Sequence, residues 1–268
     1  MRVATWNLWW QFGAWRQRQP AITDELRAVA ADIVLLQEVW ASDTDDQARG
    51  LADTLGLAVE RTTHGDHLRP QKFGNAVLSR WPIERVEQLA LTGPGGAPSH
   101  RSALACRVAT PAGPLLVVVT HLAWQYDQSI VRQRQLTEVV ELIGRHADPD
   151  RPVVVGGDLN AGPDSDEIRR LTGLSAPYGD GIVFTDSWAA VGDGPGYTWS
   201  RENPNAADAL WPRRRLDYVL VSWPRPKPWC NPRAAALFGT TERHGVVPSD
   251  HYGVVVDLDD RPNDEEAA

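Results

Sequence analysis

Several short apolar runs in this chain touch a polar residue of catalytic type at one end. Residues 3–6 lead into Asn7, and residues 153–155 are followed closely by Asp158 and Asn160. Short apolar runs bounded by turn residues are typical of buried strands. Towards the C-terminus the polar residue precedes the run, so if those strands are antiparallel to the others, all the polar ends lie along one rim. The pattern therefore predicts an active site lined by Asn7, Glu38, His121, Asp158, Asn160, Asp217, Asp250 and His251.

The alternation of strand-like and helix-like stretches predicts an α/β protein. With 268 residues and 42% hydrophobic content, the chain can bury one large core. No change of composition marks a linker. We therefore predict a single catalytic domain over residues 1–258, built from two packed, mixed β-sheets with helices outside. Residues 259–268 are predicted to form an acidic, disordered tail.

Local signals place the helices and strands. Thr23 is predicted to cap a helix that ends near residue 31, because two acidic residues follow it. A second helix, over residues 45–55, is stopped by Gly56. A longer helix over 127–145 has apolar side chains at helical spacing, starting with Ile130. Further elements are predicted near residues 58–62, 75–79, 85–91 and 101–109 (strands) and 164–171 (a short helix).

Charge and cysteine content limit the classes of function. The formal net charge of −8, with only two lysines, argues against a protein that coats nucleic acid tightly. The arginines at 213–215 can still form a local positive pocket. Cys106 and Cys230 fit no metal or disulfide-framework spacing, which favours a reducing, cytoplasmic location and leaves a single bridge between them open. No apolar run approaches the ~20 residues that span a bilayer, so we expect no membrane span, and we expect a monomer.

Two segments offer groups suited to a divalent metal and a phosphate. Glu38 is a hard oxygen ligand of the kind that Mg²⁺ binds, and no Cys or His cluster has zinc spacing. In segment 156–160, two glycines let the backbone approach a ligand, while Asp158 can hold a water and Asn160 can donate to an anionic oxygen. The alternatives are a solvated strand-end carboxylate for Glu38 and an Asx turn for segment 156–160.

Two histidines and an arginine complete the predicted chemistry. Asp217 can bond one nitrogen of His251, which leaves the other as a general base or as a stabiliser of a phosphoryl transition state. His121 can donate to a phosphoryl oxygen or protonate the leaving group, and Arg101 can add positive charge there. Each residue has an ordinary structural alternative, yet all agree on one chemistry. The sequence has no Gly-x-Ser-x-Gly segment and neither cysteine has a nucleophile's surroundings, which excludes serine and cysteine hydrolases.

Seven short motifs follow one another from Ala4 to Val256. They are Thr5-Trp6-Asn7, Gln37-Glu38-Val39, Gly74-Asn75-Ala76-Val77-Leu78-Ser79-Arg80, Thr120-His121-Leu122, Gly157-Asp158-Leu159-Asn160, Arg215-Leu216-Asp217-Tyr218 and Ser249-Asp250-His251. Their order and spacing resemble the endonuclease/exonuclease/phosphatase superfamily. His121 resembles the second histidine of the pancreatic-deoxyribonuclease and sphingomyelinase branch, rather than the abasic-site endonuclease branch.

The resemblance implies a four-layer α/β sandwich and metal-dependent cleavage of phosphoester bonds by in-line attack of water, with no covalent intermediate. It implies Mg²⁺, with Mn²⁺ as a substitute, held by Glu38, Asn7 and Asp250. The residues that it implies to be catalytic are His251, Asp217, Asp158, Asn160 and His121. Those that it implies to contact the substrate phosphate are Arg101, Asn7, Asn160 and His121.

Several hypotheses about the substrate stay open. The acidic charge and the aromatic loops favour a small or lipid-linked phosphodiester. The arginines at 213–215 and the deoxyribonuclease-like His121 favour a DNA or RNA nuclease. A catalytically silent binding module is disfavoured, because every motif position keeps a competent residue. The aromatic residues that can wall a pocket, stack on a base or simply pack in the core are Trp9, Trp10, Trp15, Trp124, Tyr126, Trp188, Trp199 and Trp211.

Overall fold

The computed structural model describes residues 1–62, 72–179, 181–209, 212–223 and 229–260. Within these ranges, two six-stranded mixed sheets pack face to face between outer helices, which confirms the predicted sandwich. The strands are β1 (Arg2–Asn7), β2 (Ile33–Ala41), β3 (Ala58–Arg61), β4 (Lys72–Ser79), β5 (Ile83–Thr92), β6 (Pro98–Thr110), β7 (Gly113–His121), β8 (Val153–Asp158), β9 (Val183–Asp186), β10 (Asp217–Trp223), β11 (Pro232–Phe238) and β12 (Gly253–Leu258). The α-helices are α1 (Trp15–Val29), α2 (Gln47–Leu55), α3 (Ser129–His146), α4 (Asp166–Leu171) and α5 (Ser187–Val191).

The first sheet has the strand order β11-β12-β1-β2-β4-β3. Strands β1 and β2 are parallel, whereas β12 is antiparallel to β1. Because β12 runs against β1, the residues that precede it, Asp250 and His251, lie at the end of the sheet where Asn7 finishes β1. The predicted reversal at the C-terminus is therefore confirmed in this sheet.

The second sheet has the strand order β5-β6-β7-β8-β10-β9. Strands β7 and β8 are parallel, and β10 is antiparallel to β8. The C-terminal ends of β7 and β8 consequently lie beside the N-terminal end of β10. This second rim faces the first one across the packed sheets.

The hydrophobic core consists of three clusters, one between the sheets and one on the outer face of each sheet. Leu35 of the first sheet and Val154 of the second lie in the cluster between the sheets. Successive strand residues point to opposite faces, so Leu36 packs instead with Leu26 of α1 on the outer side. On the other outer side, helix α3 packs on the second sheet through residues such as Val140. Two sheets and two helical layers give the four-layer arrangement.

Helix α1 begins much earlier than its prediction, at Trp15 rather than after Thr23, and it contains Pro20. Tertiary contacts in the first turn outweigh the cost of a proline inside the helix. The ring of Trp15 packs edge to face on Trp40, with 5.2 Å between centroids. Arg18 is buried, and its guanidinium forms the hydrogen bonds described below. The Thr23 hydroxyl donates to the Gln19 carbonyl in the preceding turn and does not cap the helix.

The remaining helices and strands of the prediction are confirmed, with small shifts at their ends. One predicted core position is wrong: Ile130 is 70% exposed, because it falls in the first turn of α3 on the side facing solvent. Strands β9 and β11 and helix α5 were not predicted, since they are short or lie at a sheet edge. Residue Trp211, the proline-rich stretch 224–228 and most of the expected tail (261–268) lie outside the described residues.

Two other expectations concern membranes and thiols. Among the described helices, none has both the length and the apolar character needed to cross a bilayer. Cys106 and Cys230 are both buried and neither forms a disulfide bond, so no bridge joins them.

Candidate active site

Three predicted site residues lie side by side at the rim of the second sheet. His121 ends β7, Asp158 ends β8 and Asp217 begins β10. In the strand register, Asp158 lies opposite His121 on one side and opposite Asp217 on the other. A parallel pair and an antiparallel pair thus bring together two acids and an imidazole that are far apart in sequence.

The backbone of β8 explains the glycine before Asp158. Gly157 has φ +149°, and a Cβ at this position would lie 1.9 Å from the carbonyl oxygen of Thr120. Only glycine permits this close approach between β7 and β8. Asn160 follows in the left-handed region, with φ 50°, and its backbone N–H donates to Asp158 Oδ1 at 2.9 Å. The Asx-type turn and the functional interpretation are therefore compatible, because the turn orients the carboxylate.

The first sheet contributes the facing half of the site. Glu38 was predicted to end its strand, but β2 continues to Ala41. It lies instead at a β-bulge between Leu36 and Val39, with φ 56°. The bulge leaves this residue outside the ladder, where its side chain lines the cavity described below. On the other side of β1, the Ser249 hydroxyl donates to the Asn7 carbonyl at 2.6 Å, which fixes the segment carrying Asp250 and His251.

His251 and Asp217 form the predicted pair. His251 Nδ1 lies 2.8 Å from Asp217 Oδ2, and both residues are buried. Desolvation alone would lower the pKa of His251, but the negative charges of Asp217, Asp158 and Asp250 raise it well above its usual value. These charges favour the cationic form of the imidazole, whose Nε2 lies 3.7 Å from Asp158 Oδ2.

Asp158 stands between the two histidines. Its Oδ2 accepts a hydrogen bond from Asn7 Nδ2 at 3.0 Å and lies 3.4 Å from His121 Nε2. Desolvation raises the pKa of Asp158 to about 6, although the charge of His251 opposes the rise. A carboxyl group with a pKa in this range can accept a proton near neutral pH.

His121 and Arg101 are in direct contact. Arg101 Nη1 lies 2.7 Å from Nδ1 and 2.8 Å from Nε2 of His121. Burial, the Arg101 charge and the His251 charge all lower the pKa of His121 well below its usual value. These effects favour the neutral imidazole, which can accept a hydrogen bond from the guanidinium through one ring nitrogen. The predicted proximity of these two side chains is observed.

Two sets of residues offer ligand atoms for a metal. Asp158, Asp217 and His251 have ligand atoms within 4.8 Å of one another, but two of them already bond each other. Glu38 and Asp250 form the second set and line the cavity described in the next paragraph. Desolvation, aided by the charge of Glu38, raises the pKa of Asp250 to about 7 despite the opposing charge of His251. Desolvated, mutually repelling carboxylates fit a hard divalent cation. Asn7 fits less directly, since its Oδ1 already accepts from the Trp9 N–H at 2.9 Å.

All of these side chains except Asp217 open into one cavity of about 830 Å³. Its wall contains Trp9, Trp10, Trp124 and Trp199, as expected for loop tryptophans near the rim. Other predicted wall residues lie elsewhere. Trp15 packs on Trp40, Trp188 is buried in the core between the sheets, Tyr126 is 54% exposed, and Trp211 is outside the described residues.

Arg18 organises one wall of the cavity, and sequence reasoning missed it. Its guanidinium donates to the carbonyls of Leu8, Trp9, Trp10, Phe12 and Pro248, at 2.8 to 3.0 Å. Trp9 and Trp10 both have positive φ values, 56° and 34°. A buried cation thus holds a strained aromatic loop in place. No signal in the sequence marks this residue, because the carbonyls that it binds are independent of side-chain identity.

Comparison with known proteins gives the family. A sequence model of the Endonuclease/Exonuclease/phosphatase family matches residues 4–251, a span that contains every residue of the site. The chain belongs to this family. The resemblance inferred from the seven motifs is therefore confirmed.

Within the family, the chain is 33% identical over 180 residues to YbhP of Escherichia coli, described as an uncharacterized protein; the match covers 59% of this chain and 66% of YbhP. It is 28% identical over 163 residues to tyrosyl-DNA phosphodiesterase 2 of Xenopus laevis, covering 59% of this chain and 42% of that protein. The chain thus spans slightly under two thirds of YbhP. The structure of D. rerio TDP2 complexed with a single-strand DNA product shares the fold, with a TM-score of 0.74, 21% identity and coverage of 96% and 97%.

Proposed function

We propose that this protein is a Mg²⁺-dependent phosphodiesterase that uses water to cleave a small or lipid-linked phosphodiester. The observation that carries the proposal is the convergence on one cavity of His251, which Asp217 holds from behind, of Asp158 between two imidazoles, and of the carboxylates of Glu38 and Asp250. Acid–base groups beside hard oxygen ligands are the equipment needed for hydrolysis of a phosphodiester.

The residues of the site divide the work of in-line attack. Asp158 orients the attacking water and accepts its proton. His251, held as a cation by Asp217, donates to a phosphoryl oxygen through Nε2. His121 and Arg101 bind the other phosphoryl oxygens, so charge that develops in the transition state meets donors already in place. Asn160 adds an amide N–H, since only one hydrogen bond of its Nδ2 is used, by the Leu122 carbonyl at 3.2 Å.

Glu38 and Asp250 would hold the Mg²⁺, with Asn7 beside them. When bound, this ion supplies Lewis-acid polarisation of the phosphoryl group and neutralises negative charge there. Mn²⁺ is a reasonable substitute, because it takes the same oxygen ligands. We further propose that the protein works as a monomer in the reducing cytoplasm; two buried cysteines that form no disulfide support the compartment.

The shape of the site supports a small or lipid-linked substrate. The cavity is walled by tryptophans and the chain carries a formal net charge of −8, unlike the basic groove that tracks a long nucleic-acid backbone. The second candidate is a nuclease acting on single strands or strand ends. The observation that favours it is the D. rerio TDP2 structure with its single-strand DNA product.

The test compares hydrolysis of bis(p-nitrophenyl) phosphate, glycerophosphodiesters and supercoiled plasmid by the purified protein, with Mg²⁺ and with EDTA. We expect release of p-nitrophenol that requires Mg²⁺ and that is lost in His251→Ala. Nicking of plasmid by the wild type alone, with slow cleavage of the small esters, would favour the nuclease. Mg²⁺ binding without turnover on any of these substrates would contradict the proposal and favour a binding module.

A further inference from the structure

The three consecutive arginines at 213–215 have different surroundings. Arg213 is exposed and forms an ion pair with Glu202 at 2.5 Å. Arg215 is buried and binds both oxygens of Asp186, at 2.9 and 2.8 Å. Arg214 lines the active-site cavity, and among the described residues no carboxylate lies within ion-pair distance of it. The run is therefore not a continuous basic patch: of its three arginines, only Arg214 lines the cavity and lacks an ion-pair partner among the described residues.

The backbone holds Arg214 at a fixed distance from the catalytic centre. Its N–H and C=O exchange hydrogen bonds with Trp199 at 2.9 and 3.0 Å. Trp199 also forms a β-bridge with His251. Two strand spacings therefore separate Arg214 from His251, about 10 Å between their Cα atoms. An arginine side chain can span much of this distance.

The side chain of Arg214 is held by aromatic rings and keeps unused donors. Its Cζ lies 5.2 Å from the ring centroid of Tyr126 and 5.5 Å from that of Trp199. Its Nε is buried and has no hydrogen-bond partner among the described residues. Ring contacts satisfy a guanidinium's flat surface, while its N–H groups stay available for in-plane acceptors. Desolvation lowers the pKa of Arg214, and the charge of Asp158 opposes this effect.

We propose that Arg214 forms a second anion subsite, which binds a phosphoryl group that the substrate carries in addition to the scissile phosphodiester. This inference rests on the proposed phosphodiesterase function. The scissile group has its own cation, Arg101, which lies against His121. A second guanidinium without a carboxylate fits a second planar set of acceptor oxygens, and the guanidinium fork matches phosphate geometry. The preferred substrate is consequently a phosphorylated phosphodiester, whether a nucleotide or an inositol-type ester.

Matched substrate pairs test the subsite. The first pair is the dinucleotide TpT and its 5′-phosphorylated form pTpT, and the second is glycerophosphoinositol and its 4-phosphate. In each pair the scissile bond is the same and only the extra phosphate differs. We expect the wild type to prefer the phosphorylated member of at least one pair in kcat/KM by roughly tenfold or more. The pair that shows the preference identifies the source of the phosphate.

The variants separate Arg214 from its neighbours. In Arg214→Met the ratio of kcat/KM for the phosphorylated member to kcat/KM for the unphosphorylated member should fall towards one, mainly through a higher KM for the phosphorylated substrate. Arg214→Lys should restore part of this preference. Arg213→Met is the matched control, because it removes an equal charge one residue away and outside the cavity; it should keep the full preference. Preference that survives in Arg214→Met, or equal cleavage of both members of each pair by the wild type, would overturn the inference.

A binding measurement makes this failure distinguishable from failure of the proposed function. Affinities for the same pairs are measured by calorimetry in a His251→Ala background, with and without Arg214→Met. Tighter binding of the phosphorylated member, lost with Arg214→Met, would support the subsite even if the wild type cleaved neither ester. Turnover of both members at equal rates and with equal affinities would leave the phosphodiesterase standing and reject the subsite.

Discussion

His251 is buried, is bonded to Asp217 and presents Nε2 to the cavity. In His251→Ala we expect kcat for bis(p-nitrophenyl) phosphate to fall by at least ~100-fold, because the variant lacks the charged donor to the phosphoryl oxygen. The thermal unfolding midpoint should also fall, because the buried Asp217 carboxylate loses its partner, so the rates are compared at a temperature at which both proteins are folded. Steady-state kinetics and thermal unfolding of the same preparation provide the measurement.

A matched control for this variant is His244→Ala. His244 is exposed and contacts Asp24 on the surface, so kcat should stay within twofold of the wild type. A near-wild-type rate in His251→Ala would remove this residue from the mechanism, whereas an equal loss in both variants would point to a preparation defect.

Glu38 is the predicted metal carboxylate at the β2 bulge. In Glu38→Gln we expect the Mg²⁺ concentration for half-maximal activity to rise at least about tenfold, since an amide is a poorer ligand than a carboxylate. Metal titration of the rate, together with calorimetric Mg²⁺ binding, measures the change. Glu84→Gln, an exposed glutamate near Arg107, is the control, and unchanged metal dependence in Glu38→Gln would place the metal elsewhere.

At the residue scale, the sequence identifies site residues whose side-chain chemistry and surrounding motifs both indicate a role. Asp158, Asp217 and His251 were predicted together because each adjoins a strand and their roles complement one another. Arg18 was not predicted, since its partners are backbone carbonyls. Arg214 was counted with two neighbours that turn out to be neutralised by acids. Pairing across loops depends on three-dimensional contacts that the local sequence does not specify.

Between β7 and β8, the two strands approach so closely at Gly157 that no side chain fits. In Gly157→Ala we expect a loss of about 3 kcal/mol or more in the free energy of unfolding, together with loss of activity, because the new Cβ collides with backbone and the residue is strained at φ +149°. Denaturant unfolding followed by circular dichroism measures the stability. Gly162→Ala, in the loop that follows β8 and with no atom within 4 Å of the added Cβ, should cost less than about 1 kcal/mol; equal effects would contradict this account.

Helix α1 supports the aromatic loop through Arg18. In Arg18→Met we expect the unfolding free energy to fall by roughly 2–4 kcal/mol, since several buried carbonyls lose their donor. KM should also rise, because the Trp9–Trp10 wall loses its anchor. The control Arg16→Met removes an exposed arginine that lies on the Trp15 ring in the same helix. A variant at Arg18 that behaved like this control would show that the loop is held by its own packing.

At the element scale, prediction succeeded where periodicity or caps are strong and failed where tertiary contacts decide. Helix α2 ends at Gly56, as expected, because its φ of 70° favours glycine. Helix α1 continues through Pro20, against its intrinsic preference, because Trp15 and Arg18 are fixed by other segments. Edge strand β11 pairs on one side only and carries a weak apolar signal, so the sequence offers little to recognise.

For the molecule as a whole, the layer between the sheets protects both cysteines from solvent. Burial raises the pKa of the Cys106 thiol to about 12, and Cys230 is equally inaccessible. We expect a thiol-specific chromophore to label neither cysteine in the native protein and to label two per chain in denaturant. Labelling rates at intermediate denaturant should follow the unfolding curve. Fast labelling of either thiol under native conditions would contradict this packing.

The whole-molecule arrangement follows from the apolar runs only in part. The sandwich and the convergence of polar ends were predicted, because antiparallel return strands must bring Asp217 and Asp250 to the same rim. The strand order was not predicted, because apolar runs such as 33–36 and 153–155 do not indicate which strands they will pair with. Which sheet contains which run is decided by chain connection and by packing between the faces.

The strand order also dictates how the protein can be completed during synthesis. Strands β5 to β10 form the second sheet from one continuous stretch, whereas the first sheet needs β12, the last of the described strands, between β1 and β11. Until β12 leaves the ribosome, β1 has an open edge, of the kind that pairs with other chains. Asp250 and His251 arrive on the same late segment. The segment that closes this exposed edge is therefore also the one that brings Asp250 and His251 into the candidate site.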